Sequence, residues 1–115
     1  MKDGPVSIRR YDVYLANLQP VIGAEIDKTR PVVVVSQNEM NRNLSTVVVC
    51  PLTSTIHPGW RSRIEVTFGG QKSEIAVDQI RTLSTLRLKK KIGEISAEDG
   101  LKVRLLISEM YGEPV

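Results

Sequence analysis

The hydrophobic residues of this chain fall into short runs that are typical of β-strands. Two runs, Pro31 to Ser36 and Thr46 to Leu52, are almost continuously apolar, which predicts strands buried on both faces. A third run, Arg63 to Phe68, alternates between apolar and polar residues, which predicts a strand with one buried face. We expect further strands at Tyr11 to Ala16 and at Ser73 to Arg81.

The last predicted element is a helix. Ser96 is followed three residues later by Asp99, in the manner of a capping box, and this predicts a helix from about Ala97 to Tyr111. Its apolar residues form two stripes on nearly opposite faces: Val103, Leu106, Ile107 and Met110 on one, Ala97, Leu101 and Leu105 on the other. One stripe can pack on the helix's own domain. The other needs a further cover, either a neighbouring loop or strand or a second subunit.

These elements predict a mainly β fold with one C-terminal helix, arranged as a small antiparallel barrel or a strongly bent sheet. A parallel α/β architecture does not fit, because only one helix of useful length is expected. The 115 residues suit one domain. We expect a loose N-terminal tail at residues 1–9 and a single domain at residues 10–115.

Composition narrows the class of protein. Hydrophobic residues make up 41% of the chain and charged residues 25%, as in a globular protein. The single cysteine, Cys50, lies in an apolar run and cannot form an internal disulfide, which favours the cytoplasm. No apolar run approaches 18 residues and Met1 to Arg10 lacks the apolar core of a signal peptide, so we expect no membrane partner. The net charge of +3 permits a polyanionic partner.

Several kinds of site are excluded by the residue inventory. One histidine, His57, and one cysteine cannot build a structural zinc site, and one histidine cannot serve as both acid and base in a two-histidine ribonuclease. No glycine-rich phosphate loop occurs, and no nucleophile-elbow sequence accompanies His57. We therefore predict no metal and no cofactor.

The remaining candidates are arginine, hydroxyl and carboxylate side chains at strand ends and in loops. Pro31 favours an extended conformation at Arg30, whose guanidinium suits a phosphate, and the Thr53 hydroxyl can donate to the same oxygens. The full set is Glu25, Asp27, Arg30, Thr53, Ser54, Asp78, Gln79 and Arg81. Structural roles remain open for each: a solvated arginine, a turn at Thr53, or an ion pair between Asp78 and Arg81.

A loop between two predicted strands adds an aromatic candidate. Trp60 stands beside Arg61 and close to Arg63, which is a pattern that can stack a base and hold neighbouring phosphates. The alternative is that Trp60 folds back as a hydrophobic lid.

In order and spacing, several segments resemble the MazF/Kid/PemK toxins of bacterial type II toxin–antitoxin systems. The resemblance extends from Arg10 to about Gly112. The matching segments are Asp12 to Leu15, Gly23 to Glu25, Lys28 to Val34, Asn41 to Arg42, Val49 to Ser54, Val77 to Thr82 and Ile92 to Ile95.

This resemblance implies an SH3-like barrel of the MazF/Kid/CcdB type, a homodimer, and sequence-specific, metal-independent cleavage of single-stranded RNA, chiefly mRNA. It implies that Arg30 and Thr53 are catalytic and that a cognate antitoxin covers the site with an acidic C-terminal tail. Residues that bind or orient the substrate are expected at Glu25, Lys28, Ser54, Trp60, Arg61, Asp78, Gln79 and Arg81.

Two other functions remain open at this point. A non-catalytic protein-binding toxin, like the gyrase poisons that share this barrel, would use the terminal helix rather than the loops. A barrel that binds RNA without cutting it would use the same loops without a catalytic pair. Retention of Arg30 and Thr53 argues against the first of these.

Overall fold

The computed structural model describes residues 7–18 and 29–113. Its strands are β1 Asp12–Asn17, β2 Thr29–Val34, β3 Thr46–Thr53, β4 Arg63–Phe68, β5 Gln71–Ala76, β6 Arg81–Ser84 and β7 Leu88–Glu94. Its helices are α1 Asn38–Asn43 and α2 Ala97–Tyr111, and single 3₁₀ turns lie at Val77–Gln79 and Thr85–Arg87. The mainly β prediction is confirmed.

The strands form one antiparallel sheet in the order β4-β5-β3-β2-β1-β7. The central strand, β3, has two partners on the same side: β6 along Thr46 to Val49, and β5 at Leu52 and Thr53. The chain changes from one partner to the other at the 3₁₀ turn Val77–Gln79. The single strand predicted at Ser73 to Arg81 is therefore wrong, because that segment is two short strands joined by this turn.

The valine runs are buried on both faces of the sheet, as predicted. Along β2 the side chains alternate, so that Val33 packs in one hydrophobic cluster and Val32 and Val34 in another. The first cluster lies between the sheet and α2, where it includes Val103 and Leu106 of the helix. A strand with apolar neighbours on both sides requires no polar face, which explains the continuous run.

The two edge strands, β4 and β7, approach each other at Phe68 and Gly93. The ring of Phe68, at the end of β4, lies against Gly93 of β7, where an added Cβ would stand 2.9 Å from Phe68 Cζ. Gly93 also has a positive φ of 155°. The missing side chain leaves room for the ring, which fills the seam between the strands.

Helix α2 begins as predicted, with the Ser96 hydroxyl accepting a hydrogen bond from the Asp99 backbone N–H at 3.0 Å. Gly100 allows the Tyr11 ring to pack against the helix, because an added Cβ would lie 2.6 Å from that ring. One apolar stripe is buried on the sheet, whereas Leu101 and Leu105 are 45% and 61% exposed. Neither helix of the described residues has the length and apolar character needed to cross a membrane.

Two further regions differ from expectation. Strand β7 was not predicted. A run of three lysines, here Lys89 to Lys91, is typical of a solvated surface, but it lies on an edge strand paired with β1. Ile8, placed in the predicted tail, is 2% exposed and packs in the second cluster. Residues 1–6 of the predicted tail lie outside the described residues.

Candidate active site

Arg30 and Thr53 lie on neighbouring strands at one end of the sheet. Strand β2 pairs with β3 through Val32 opposite Pro51, and the same register continued by two residues places Arg30 opposite Thr53. Arg30 is exposed, and none of the described residues forms a hydrogen bond or ion pair with its guanidinium. Its five donors are therefore available to a ligand within the described surroundings.

Two clefts open on either side of this pair, and Arg30 and Thr53 line both. The first cleft has a volume of about 360 Å³ and is also lined by Ser54, Phe68, Gln71, Ser73 and Ile92. The second has a volume of about 480 Å³ and is also lined by Leu18, Pro51, His57, Arg63 and Gln79. An extended ligand that crosses Arg30 and Thr53 would enter both clefts.

The hydroxyl of Thr53 is oriented by the turn that follows β3. Its Oγ1 accepts a hydrogen bond from the backbone N–H of Thr55 at 3.1 Å. Because the oxygen is used as an acceptor, the hydroxyl proton remains free to be donated to a phosphate oxygen. Sequence reasoning offered turn formation and catalysis as alternatives for Thr53, and this geometry allows both.

Behind Thr53, the sheet buries a carboxylate. Glu74 of β5 lies opposite Thr53 in the register and is 2% exposed. Its Oε2 accepts the backbone N–H of His57 at 2.9 Å, and its Oε1 lies 2.6 Å from His57 Nδ1 and 2.8 Å from Arg63 Nη1. One buried side chain thus holds both the loop after β3 and the first residue of β4.

Arg63 connects this carboxylate to a second one. Its Nε donates to Asp78 Oδ1 at 2.7 Å, and its side chain is 7% exposed. We call Glu74, Arg63 and Asp78 the buried ion-pair network, after the buried side chains of Glu74 and Arg63; the Asp78 side chain is 33% exposed. Because its guanidinium is bonded to two carboxylates, Arg63 is not available to bind a phosphate. Asp78 pairs with Arg63 and not with Arg81, which was the alternative left open by the sequence.

The network holds both acids in the charged form. Burial opposes ionisation of Glu74, but hydrogen bonds from His57 and Arg63 outweigh it and lower the pKa of Glu74 below its ordinary value. The hydrogen bond from Arg63 lowers the pKa of Asp78. A positive group between two carboxylates stabilises both anions.

Trp60 folds back over polar groups. Its ring stacks on the His57 ring with centroids 4.0 Å apart, and the Arg63 guanidinium carbon lies 4.7 Å from the Trp60 centroid. Trp60 is nevertheless 51% exposed. It therefore covers one edge of the buried ion-pair network and still presents surface to solvent.

The structure brings some of the expected substrate-contacting residues together. Ser54 lines the first cleft and Gln79 the second, together with Arg30 and Thr53. Two others lie elsewhere. Arg81 is exposed on β6 opposite Val49, and Arg61 approaches Glu109 of α2 at 3.4 Å, with 90% of its side chain exposed. Glu25, Asp27 and Lys28 lie outside the described residues.

Sequence reasoning missed Glu74 and set His57 aside. Glu74 lies in a strand whose first residues are polar, and nothing in that pattern distinguishes it from a surface residue. His57 was considered for a zinc site, a two-histidine ribonuclease mechanism and a serine triad, and was set aside for each. The separation of 17 residues between these two side chains carries no local signal for their contact.

Asn41, which belongs to one of the matching segments, is 0% exposed and lines neither cleft. Its Nδ2 donates to the Ser36 carbonyl at 3.0 Å, and the Ser36 hydroxyl donates to its Oδ1. Asn41 thus fixes the connection between β2 and β3, and its role in this chain is structural.

A family model described as a PemK-like, MazF-like toxin of type II toxin–antitoxin systems matches residues 9–111. The chain belongs to this toxin family. The match spans both clefts, the buried ion-pair network and all of α2, so the candidate site among the described residues lies within the matched region.

Solved structures agree with this membership. A MazE–MazF structure from Deinococcus radiodurans has a TM-score of 0.81 at 21% identity, covering 96% of this chain and 100% of that chain. An endoribonuclease in complex with its cognate antitoxin, from a mycobacterial species, has a TM-score of 0.79 at 23% identity, covering 95% and 99%. The Mycobacterium tuberculosis toxin MazF-mt6 has a TM-score of 0.72 at 21% identity, covering 90% and 99%. At these identities the likeness establishes the shared MazF-like fold.

Proposed function

We propose that this protein is the toxin endoribonuclease of a type II toxin–antitoxin pair and cleaves single-stranded RNA, chiefly mRNA, in the cytoplasm. The observation that carries the proposal is the position of Arg30. It lies exposed beside Thr53 between two clefts, with no described residue bonded to its guanidinium. Membership of the toxin family and the likeness to solved endoribonucleases support it.

The chemistry follows from what the two side chains can do. The 2′-hydroxyl of one nucleotide attacks the adjacent phosphorus, and the bond to the 5′ oxygen breaks, leaving a cyclic phosphate and a 5′-hydroxyl. Arg30 stabilises the negative charge that grows on the phosphate oxygens, and Thr53 donates a hydrogen bond to them. Neither role needs a metal ion. Ser54 and Gln79 contact the neighbouring nucleotides, and Glu25, Lys28, Trp60, Arg61, Asp78 and Arg81 remain candidates to bind or orient the substrate.

The experiment is cleavage of a mixed pool of single-stranded RNA in EDTA by the wild type and by Arg30→Ala. We expect wild-type cleavage and a loss of at least about 10²- to 10³-fold in the variant. Arg104→Ala is the matched control, because Arg104 is an exposed arginine of α2 outside both clefts. Undiminished cleavage by Arg30→Ala would remove the catalytic assignment. Complete dependence on added metal would remove the mechanism.

The same clefts suit the acidic tail of an antitoxin. A carboxylate that occupies the phosphate position beside Arg30 would compete directly with RNA. We expect the cognate antitoxin to inhibit cleavage and the Arg30→Ala variant to bind its acidic C-terminal peptide more weakly than Arg104→Ala does. Isothermal titration with that peptide measures the difference, and equal affinity would place the tail elsewhere.

The exposed stripe on α2 supports the homodimer. Leu101 and Leu105 are large apolar side chains left uncovered by the described part of the chain. We expect a dimeric mass in sedimentation at micromolar concentration and a shift towards monomer in Leu105→Glu. A monomeric wild type would overturn the homodimer, and an unshifted Leu105→Glu would place its interface on another surface.

A further inference from the structure

His57 lines the second cleft together with Arg30 and Thr53. It is the only histidine of the chain, and its side chain is 29% exposed. It therefore lies at the boundary between the buried ion-pair network and the space in which the proposed function places RNA.

Three contacts fix the orientation of the ring. The His57 backbone N–H donates to Glu74 Oε2, Nδ1 lies 2.6 Å from Glu74 Oε1, and the Trp60 ring stacks on the imidazole. Because an ionised carboxylate can only accept, Nδ1 carries a proton and donates it to Glu74. In the neutral ring Nε2 is then an acceptor, and no described residue bonds to it.

The proposed reaction needs a group that removes the proton of the attacking 2′-hydroxyl. Arginine stays protonated in proteins and threonine is too weak a base, so neither Arg30 nor Thr53 suits this step. Among the described residues that line the two clefts, the ionisable side chains are Arg30, Arg63 and His57. Of these, only the imidazole has a ring nitrogen with a lone pair that can take the proton.

We propose that His57 is the general base of RNA cleavage, an inference that rests on the proposed function. Nε2 takes the proton of the 2′-hydroxyl as the 2′ oxygen forms its bond to phosphorus. The bond between phosphorus and the 5′ oxygen breaks, and the 5′ oxygen takes a proton from water. The imidazolium then returns its proton to solvent, which restores the resting enzyme.

The charges around His57 act in opposite directions. Glu74 of β5 faces Nδ1 and stabilises the imidazolium that forms. Arg63 of β4 opposes it, with Nη1 3.3 Å from Nδ1, as does Arg30 of β2 across the cleft. Asp78, in the 3₁₀ turn before β6, is bonded to Arg63. The ring therefore has one carboxylate as a bonded partner and two guanidinium groups nearby.

The variant that separates proton transfer from structure is His57→Asn. The asparagine amide can take the place of Nδ1 and donate to Glu74, but it has no counterpart of Nε2. The substrate is an RNA that contains the sequence at which the wild type cuts the mixed pool. On this RNA we expect His57→Asn to lose about 10²- to 10⁴-fold in cleavage rate. We expect little change in thermal unfolding or in affinity for the same RNA with a 2′-deoxy group at the cleavage site, which cannot react.

The dependence of the rate on pH is the second readout. A base must be unprotonated, so the wild-type rate should fall as the pH is lowered, and this fall should disappear in His57→Asn. In His57→Ala, added imidazole should raise the rate, and a rate that stays at the variant's own level contradicts the proposal. This readout also serves if His57→Asn proves poorly folded.

A modified substrate distinguishes a base from an acid. When sulfur replaces the departing 5′ oxygen, that group leaves without protonation. The His57→Asn defect should persist on this substrate if His57 is the base, whereas full recovery would make it the acid and overturn the proposal. Equal rates for the wild type and His57→Asn on ordinary RNA would overturn it while the proposed function stands. A wild type that cleaves no RNA would overturn the proposed function itself.

Discussion

The two arginines beside the second cleft have opposite surroundings. Arg30 is exposed and has no partner among the described residues, whereas Arg63 is 7% exposed and bonded to two carboxylates. One guanidinium is therefore available for a ligand, and the other holds the loop after β3 against the sheet. Proximity to a cleft alone does not identify a functional arginine, because the partners of the side chain decide its role.

The largest difference between the two arginines should appear in the free energy of unfolding when each is replaced with leucine. Arg63→Leu leaves Glu74 without its cationic partner in the interior, which should lower the free energy of unfolding by about 3–5 kcal/mol. Arg30→Leu should change it by less than about 0.5 kcal/mol. Urea denaturation measures both. A loss below about 1 kcal/mol for Arg63→Leu would show that the buried pair is no stronger than a surface one.

The next effect tests whether Arg30 acts through its shape or only through its charge. Arg30→Lys keeps the charge but loses the planar fork that can donate two hydrogen bonds to a phosphate. Loss of one charge-assisted hydrogen bond, about 1.5–3 kcal/mol, corresponds to a fall of roughly 10- to 150-fold in kcat/KM. Cleavage at the wild-type rate would show that a point charge is enough.

Lowering the pH should reduce the stabilisation that comes from the ion pairs of Arg63. Arg30 has no such ion pair among the described residues, so it should contribute nothing to this loss. The folded-state pKa values of Glu74 and Asp78 lie below their ordinary values, so their stabilising effect is present above about pH 4 and is lost as the pH falls through the lowered values. The free energy of unfolding, measured between pH 7 and 3, should decline below about pH 4. In Asp78→Asn the decline should be smaller, and an equal decline would point to other carboxylates.

The smallest effect concerns the neighbouring arginine. Arg61 lies two residues before Arg63, but its side chain is 90% exposed and its contact with Glu109 spans 3.4 Å. Arg61→Ala should change the free energy of unfolding by less than about 0.5 kcal/mol. A larger loss in the same urea measurement would mean that burial is not what separates the two arginines.

Much of the fold could be predicted because its signals are local. The valine runs of β2 and β3 and the alternation of β4 follow directly from burial, and Ser96 marks the start of α2. Strand β7 was not predicted. Three successive lysines are typical of a solvated surface, and only pairing with β1 makes them a strand.

The candidate site shows the same limit. The ordered resemblance to the toxin family pointed to Arg30 and Thr53, and the structure places both beside the clefts. The contacts of Glu74 with His57 and Arg63 form only when three separate segments come together in the fold, so no local sequence pattern predicts them. Residues that orient a site from behind are harder to find than those that face the ligand.

The pairing of β1 with β7 also bears on when the protein becomes active. Asp12 lies opposite Glu94 in this pair, so β1 can pair with β7 only after most of the chain has left the ribosome. Arg30 and Thr53 are synthesised early, but the barrel that supports them cannot close until β7 emerges. We therefore expect the fold that supports these two residues to be complete only after Glu94 has left the ribosome.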